Sequence, residues 1–112
     1  HFGAGFFRET LIAGAQCPNV ITDTSSTNSW TKTQPDFPSL TDVLARALDV
    51  FGPERVVFGT DSNVFPAGWR RERYERWRAI AQELGLSTKD QRSLFSGNAE
   101  RLLAPSPAHA AT

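Results

Sequence analysis

Seven residues, Val56-Val57-Phe58-Gly59-Thr60-Asp61-Ser62, constrain the fold of this chain more than any other stretch. Three apolar residues in succession, two of them β-branched, predict a short buried strand. Glycine, threonine and a carboxylate follow at once. A parallel strand that leaves a core and delivers an acid at its carboxyl end has this order. Ligands and catalytic groups gather at such ends in open α/β sheets and in (β/α)8 barrels. Asp61 is therefore the first candidate for a metal ligand or general base, because a strand end holds a side chain rigidly. The same spacing also suits an aspartate that caps the following turn.

The rest of the chain alternates helix and strand. Residues 6–15 predict a short helix with Phe7, Leu11 and Ala15 on one side, ended before Pro18. Residues 20–23 predict a second short strand, and it too ends in an acid, Asp23. Residues 24–39 are rich in Ser, Thr, Asn and Pro, and Trp30 and Phe37 embedded there predict a packed loop. Ser39-Leu40-Thr41-Asp42 has capping-box spacing. Leu40, Val43, Leu44, Ala47, Leu48 and Phe51 then share one helical stripe, and Gly52-Pro53 stops the helix.

A further helix is expected over 68–84, with Tyr74, Trp77, Ile80, Ala81 and Leu84 inward. Arg70, Arg71, Arg73, Arg76 and Arg78 alternate with acids on a solvated face. Ser87 and Asp90 open another helix carrying Leu94 and Phe95. Gly97-Asn98 is expected to break it, with Asn98 capping a last turn that ends at Leu103. Residues 104–112 lack the apolar side chains that offset ordering entropy and are expected to be disordered. Strands alternating with helices mean parallel βα units with right-handed crossovers. Two such strands are too few to cover both faces, so the chain is expected to belong to a larger sheet.

The totals exclude several classes. The 112 residues suffice for one small domain. Twelve basic and twelve acidic residues cancel, so no nucleic-acid partner is expected. No apolar run approaches the roughly 20 residues of a membrane helix, and no signal-peptide pattern is present. The single cysteine, Cys17, excludes an internal disulfide and fits a reducing, cytoplasmic setting. Its place before a proline at a strand entrance predicts a small buried residue. The absence of methionine and the opening His1-Phe2-Gly3 are what the C-terminal part of something longer would show.

Four stretches resemble one known family. Arg55-Val56-Val57-Phe58-Gly59-Thr60-Asp61-Ser62 resembles the last barrel strand of the metal-dependent amidohydrolase superfamily, in the amidohydrolase-related branch that also holds non-oxidative decarboxylases. Pro18-Asn19-Val20-Ile21-Thr22-Asp23-Thr24-Ser25 is similar to that branch's seventh strand. Gly85-Leu86-Ser87 and Gly97-Asn98-Ala99-Glu100-Arg101-Leu102-Leu103 resemble its closing helices, and His1-Phe2-Gly3 the turn after its sixth strand. The resemblance covers residues 1–103. It implies an α/β fold, the last third of a (β/α)8 TIM barrel, with two parallel strands and flanking helices here. It also implies a metal-dependent hydrolase that activates water for attack on a carbonyl-type bond, with a divalent metal, zinc first, as cofactor. Asp61 matches the family's strand-eight metal ligand and proton acceptor. His1 matches a strand-six histidine that serves as ligand or polarising acid. The family's first-strand His-x-His pair and strand-five histidine have no counterpart, and His109 lies in the tail.

Other residues carry weaker readings. Asp23 is expected to hydrogen-bond its own loop. Trp30, Lys32, Phe65 and Trp69 could line a substrate pocket, although packing of Phe65 and Trp69 on the closing helices is the simpler expectation. Ser62 lacks the Gly-x-Ser-x-Gly surroundings of a nucleophile. The alternatives to hydrolysis are decarboxylation, a non-catalytic member of the fold, and an α/β binding module without chemistry. The expected partner is a small-molecule substrate, no membrane is expected, and self-association of the full-length protein stays open.

Overall fold

Parallel pairing of the two predicted strands is the centre of the computed structural model, which describes residues 1–63, 65–66 and 68–106. Strand β1 (Thr22–Asp23) lies beside β2 (Val56–Val57), with Thr22 opposite Val56 and Asp23 opposite Val57. The regular ladder is short, but hydrogen bonds extend it at both ends. Thr22 N–H reaches the Arg55 carbonyl at 3.0 Å and Thr24 N–H the Val57 carbonyl at 3.0 Å. Beyond that a side chain replaces the ladder: the buried Thr24 hydroxyl accepts from Gly59 N–H at 3.1 Å and donates to the Gly59 carbonyl at 3.2 Å. On the other side of β1, Phe2 N–H donates to the Asp23 carbonyl at 3.0 Å. One backbone hydrogen bond thus ties the turn at Phe2 to the open edge of β1, and the spatial order is 1–2, β1, β2.

Helices cover this sheet. Helix α1 (Phe7–Gln16) follows a 3-10 turn, Ala4–Phe6, and packs against α2 (Leu40–Phe51). The residue of α1 that meets α2 is Gly14 and not Ala15, which is exposed. A Cβ at Gly14 would lie 2.3 Å from the Phe51 ring, so only glycine lets the aromatic seat there. Helix α2 has the expected span and capping box: Asp42 N–H donates to Ser39 Oγ at 3.1 Å, and Ser39 N–H to Asp42 Oδ2 at 3.0 Å. Its buried stripe of Leu40, Val43, Leu44, Ala47 and Phe51 forms the core with Phe2, Phe7, Trp30, Val56, Trp77, Ile80 and Leu94.

Arg55 ties the lower ends of these elements together. Its guanidinium donates to the carbonyls of Gly14, Cys17, Val20, Val50 and Phe51 while lying over the Phe51 ring. Carbonyls left open at the C-terminal ends of α1 and α2 are thus satisfied by one cation, which also suits the negative end of each helix dipole.

Helix α3 (Arg71–Glu83) starts three residues later than expected from periodicity. Gly68 sits at φ +57°, a left-handed backbone that a helix cannot include. Helices α4 (Thr88–Arg92) and α5 (Asn98–Leu103) are joined by a π-helical turn, Ser93–Gly97, and not by a break. Asn98 is no cap. It is fully buried and donates to the Pro53 carbonyl at 2.7 Å and the Val56 carbonyl at 2.8 Å. The closing helices also cover the outer edge of β2, where Phe58 N–H donates to the Leu94 carbonyl at 3.1 Å.

Three other expectations fail. Cys17 is exposed, because α1 ends one residue earlier and its side chain leaves the core. Phe37 is 80% exposed, so of the two aromatics only Trp30 packs the long loop inward, inside a 3-10 turn (Ser29–Thr33) with its ring 5.6 Å from Phe7. Phe65 is also exposed and packs on no closing helix, whereas Trp69 stacks at 5.7 Å on Tyr74. Most of the tail expected to be disordered, His109 included, lies outside the described residues. Among the described residues, no helix is long and apolar enough to cross a membrane.

Candidate functional site

The carboxyl ends of the strands bring His1 and Asp61 together. His1 Nε2 is 3.2 Å from Asp61 Oδ2, and both side chains keep part of their surface open to solvent. Asp61 lies beyond β2 at φ +55°, in the left-handed region that aspartate tolerates better than most residues. The neighbouring hydroxyls turn inward instead, with Thr60 Oγ1 and Ser62 Oγ 2.6 Å apart and Ser62 accepting from Arg70 N–H at 3.1 Å. The Asp61 side chain makes its contact with His1 and caps no turn among the described residues.

Asp23 and Ser25 stand on the far side of His1. Asp23 Oδ1 accepts from the amino-terminal nitrogen of His1 at 2.7 Å and from Ser25 N–H at 2.8 Å. The Ser25 hydroxyl donates to the same oxygen and lies 2.9 Å from His1 Nδ1. Burial pushes the Asp23 carboxyl up, and the hydrogen bonds from the Ser25 hydroxyl and N–H pull it down. The expectation that Asp23 hydrogen-bonds its own loop is correct, and Ser25 of that loop in turn meets the imidazole of His1. Ser25 was not singled out as a site residue from the sequence. The signal for it was the Asp23-x-Ser25 spacing, at which an aspartate after a strand accepts from the N–H two residues on.

A pocket of about 190 Å³ opens beside Asp61, lined also by Thr27, Ser62, Asn63, Gly68, Arg70 and Arg73. Arg73 is fixed there by a hydrogen bond to the Thr60 carbonyl, and Arg70 pairs with Glu72 at 3.5 Å. Trp30, Lys32, Phe65 and Trp69 do not line it. A larger hollow of about 470 Å³ lies between α1, the 34–38 loop and α2, away from His1 and Asp61.

The donor set has the chemistry of a divalent-metal site in part. An imidazole nitrogen and a carboxylate oxygen are zinc's usual donors. Their separation of 3.2 Å is what adjacent ligands of one ion adopt when each bond is about 2.1 Å. Among the described residues, however, no three His, Cys, Asp or Glu side chains converge on a common point. His1 and Asp61 therefore fit as two members of a coordination sphere that these residues do not complete.

Two parallel strands joined through a helix, with an acid and an imidazole in contact beyond them, fit a fragment of an α/β protein. A family model described as Amidohydrolase matches residues 1–104, and the chain belongs to that family. Its function accordingly lies within the hydrolase superfamily to which amidohydrolases belong. No curated protein and no solved structure matches the chain.

Proposed function

We propose that the chain contributes the last strands of a (β/α)8 barrel in a metal-dependent hydrolase, with His1 and Asp61 at the reaction centre. The observation that carries this reading is the 3.2 Å contact of His1 Nε2 with Asp61 Oδ2 in an amidohydrolase-family chain. A divalent ion, zinc by the donor chemistry, would be held by these two side chains and by further donors that the described residues do not supply. When bound, such an ion lowers the pKa of a water toward neutrality and polarises a carbonyl.

The chain's own residues do the rest. The Asp61 carboxylate accepts the proton of the attacking water. His1, when protonated, donates to the substrate oxygen or orients it. The pocket beside Asp61 admits a small molecule. Arg70 and Arg73 in its wall favour an anionic substrate, and this supports decarboxylation of a carboxylic acid as the second reading.

The test is Asp61→Asn in the intact protein, assayed with excess zinc against simple esters, amides and aromatic carboxylic acids. Asparagine keeps the shape and tolerates the left-handed backbone, and the contact with His1 lies between partly exposed side chains and is worth little. The metal-free melting temperature should therefore stay close to wild type. Turnover should fall by at least about 10²- to 10⁴-fold, the usual worth of a positioned proton acceptor. Turnover near wild type would overturn the assignment.

A further inference from the structure

We infer that Ser25, anchored by Asp23, is a positioning residue that receives the Nδ1–H of His1 and thereby turns Nε2 toward Asp61. A serine hydroxyl has one proton to give, and an ionised carboxylate only accepts. The Ser25 hydroxyl donates to Asp23 Oδ1, which also accepts from Ser25 N–H at 2.8 Å and from the His1 backbone nitrogen at 2.7 Å. With its proton committed there, Ser25 Oγ meets His1 Nδ1 at 2.9 Å as an acceptor. Nδ1 then carries hydrogen, and Nε2 is the nitrogen left to meet a cation or exchange a proton beside Asp61.

The surroundings hold this chain of contacts in place. Asp23 is fixed through β1, and Thr24, between Asp23 and Ser25, is locked by its hydroxyl to both polar groups of Gly59. Gly59 also leaves room for Ser25, because a Cβ there would lie 3.1 Å from Ser25 Cβ. A partner that fixes the remote nitrogen of a reactive histidine sets its tautomer and ring orientation, and losing one typically costs about 10- to 100-fold in metal affinity or activity.

The catalytic consequence rests on the reading that His1 and Asp61 form the reaction centre; the hydrogen bond does not. The experiment labels histidine with ¹⁵N in the intact, chelator-treated protein and reads the Nδ1 and Nε2 shifts of His1, which tell a protonated ring nitrogen from a bare one. A proton on Nδ1 with a bare Nε2 is expected in the wild type, lost in Ser25→Ala and weakened in Asp23→Asn. With zinc restored, kcat should fall by about 10- to 100-fold in Ser25→Ala while KM changes little. The absence of that proton in the wild type, its survival in Ser25→Ala, or an unchanged kcat in Ser25→Ala would each overturn the positioning role. If the proton behaves as expected while Asp61→Asn keeps its turnover, the functional reading fails and the hydrogen-bonded chain stands.

Discussion

At Asp61 and Asn98 the same kind of side chain, short and amide- or acid-tipped, does opposite things. Asp61 was legible because it follows a strand and a glycine, a local pattern. Its φ of +55° was not, since backbone sign is decided by where the next loop must go. Asn98 was misread as a cap because Gly97-Asn98 looks like a helix break. Its true partners, the Pro53 and Val56 carbonyls, lie more than 40 residues away in sequence, and no local pattern reports them. Asn98→Ala would remove both donors and leave two carbonyls without them in a buried place. The expected loss is about 2 to 4 kcal/mol, from the usual cost of unsatisfied buried groups. Chemical denaturation of wild type and variant measures it. A loss within error of zero would mean that water replaces the amide there.

Helix α2 was legible end to end because everything that defines it is local: cap, stripe and stop lie within its own residues and the next two. The clamp at its other end was not, because Arg55 collects carbonyls from three separate segments. The cap makes a pH-dependent prediction. Hydrogen bonds from the Ser39 side chain and backbone hold the Asp42 carboxyl below its ordinary value, burial opposes them weakly, and Arg46 adds a favourable charge. A carboxyl lowered in the folded state adds stability above its unfolded value. That stability disappears as pH falls through the lowered folded value. The acid limb of the melting-temperature profile, below about pH 4, should therefore be shallower in Ser39→Ala than in wild type. At neutral pH the same variant should lose about 1 kcal/mol, the common worth of a serine N-cap. Parallel profiles with an unchanged acid limb would show that Asp42 keeps its lowered value without Ser39.

For the molecule as a whole, element order and strand pairing followed from the sequence, and the missing histidines already implied a site that two side chains do not close. His1 lies between Asp23 and Asp61, which both follow parallel strands, and the βα alternation already required strands that end on one side. Which donors meet an ion is a matter of ångströms that alternation does not set. The last prediction tests that limit on the 112-residue chain by itself. Catalytic zinc sites commonly use about three protein ligands, whereas two converge among the described residues. Binding also has to hold together a sheet of two strands, which is marginal alone in water. The chain should therefore bind zinc too weakly to saturate at micromolar concentrations. Near-ultraviolet dichroism from the buried Trp30 and Trp77 reports whether it is folded during the titration. Calorimetry should then show shallow heats that change little in Asp61→Asn. Tight one-to-one binding abolished by Asp61→Asn would mean that the chain completes the coordination sphere from its own residues. The proposal that further donors share the ion would then be wrong.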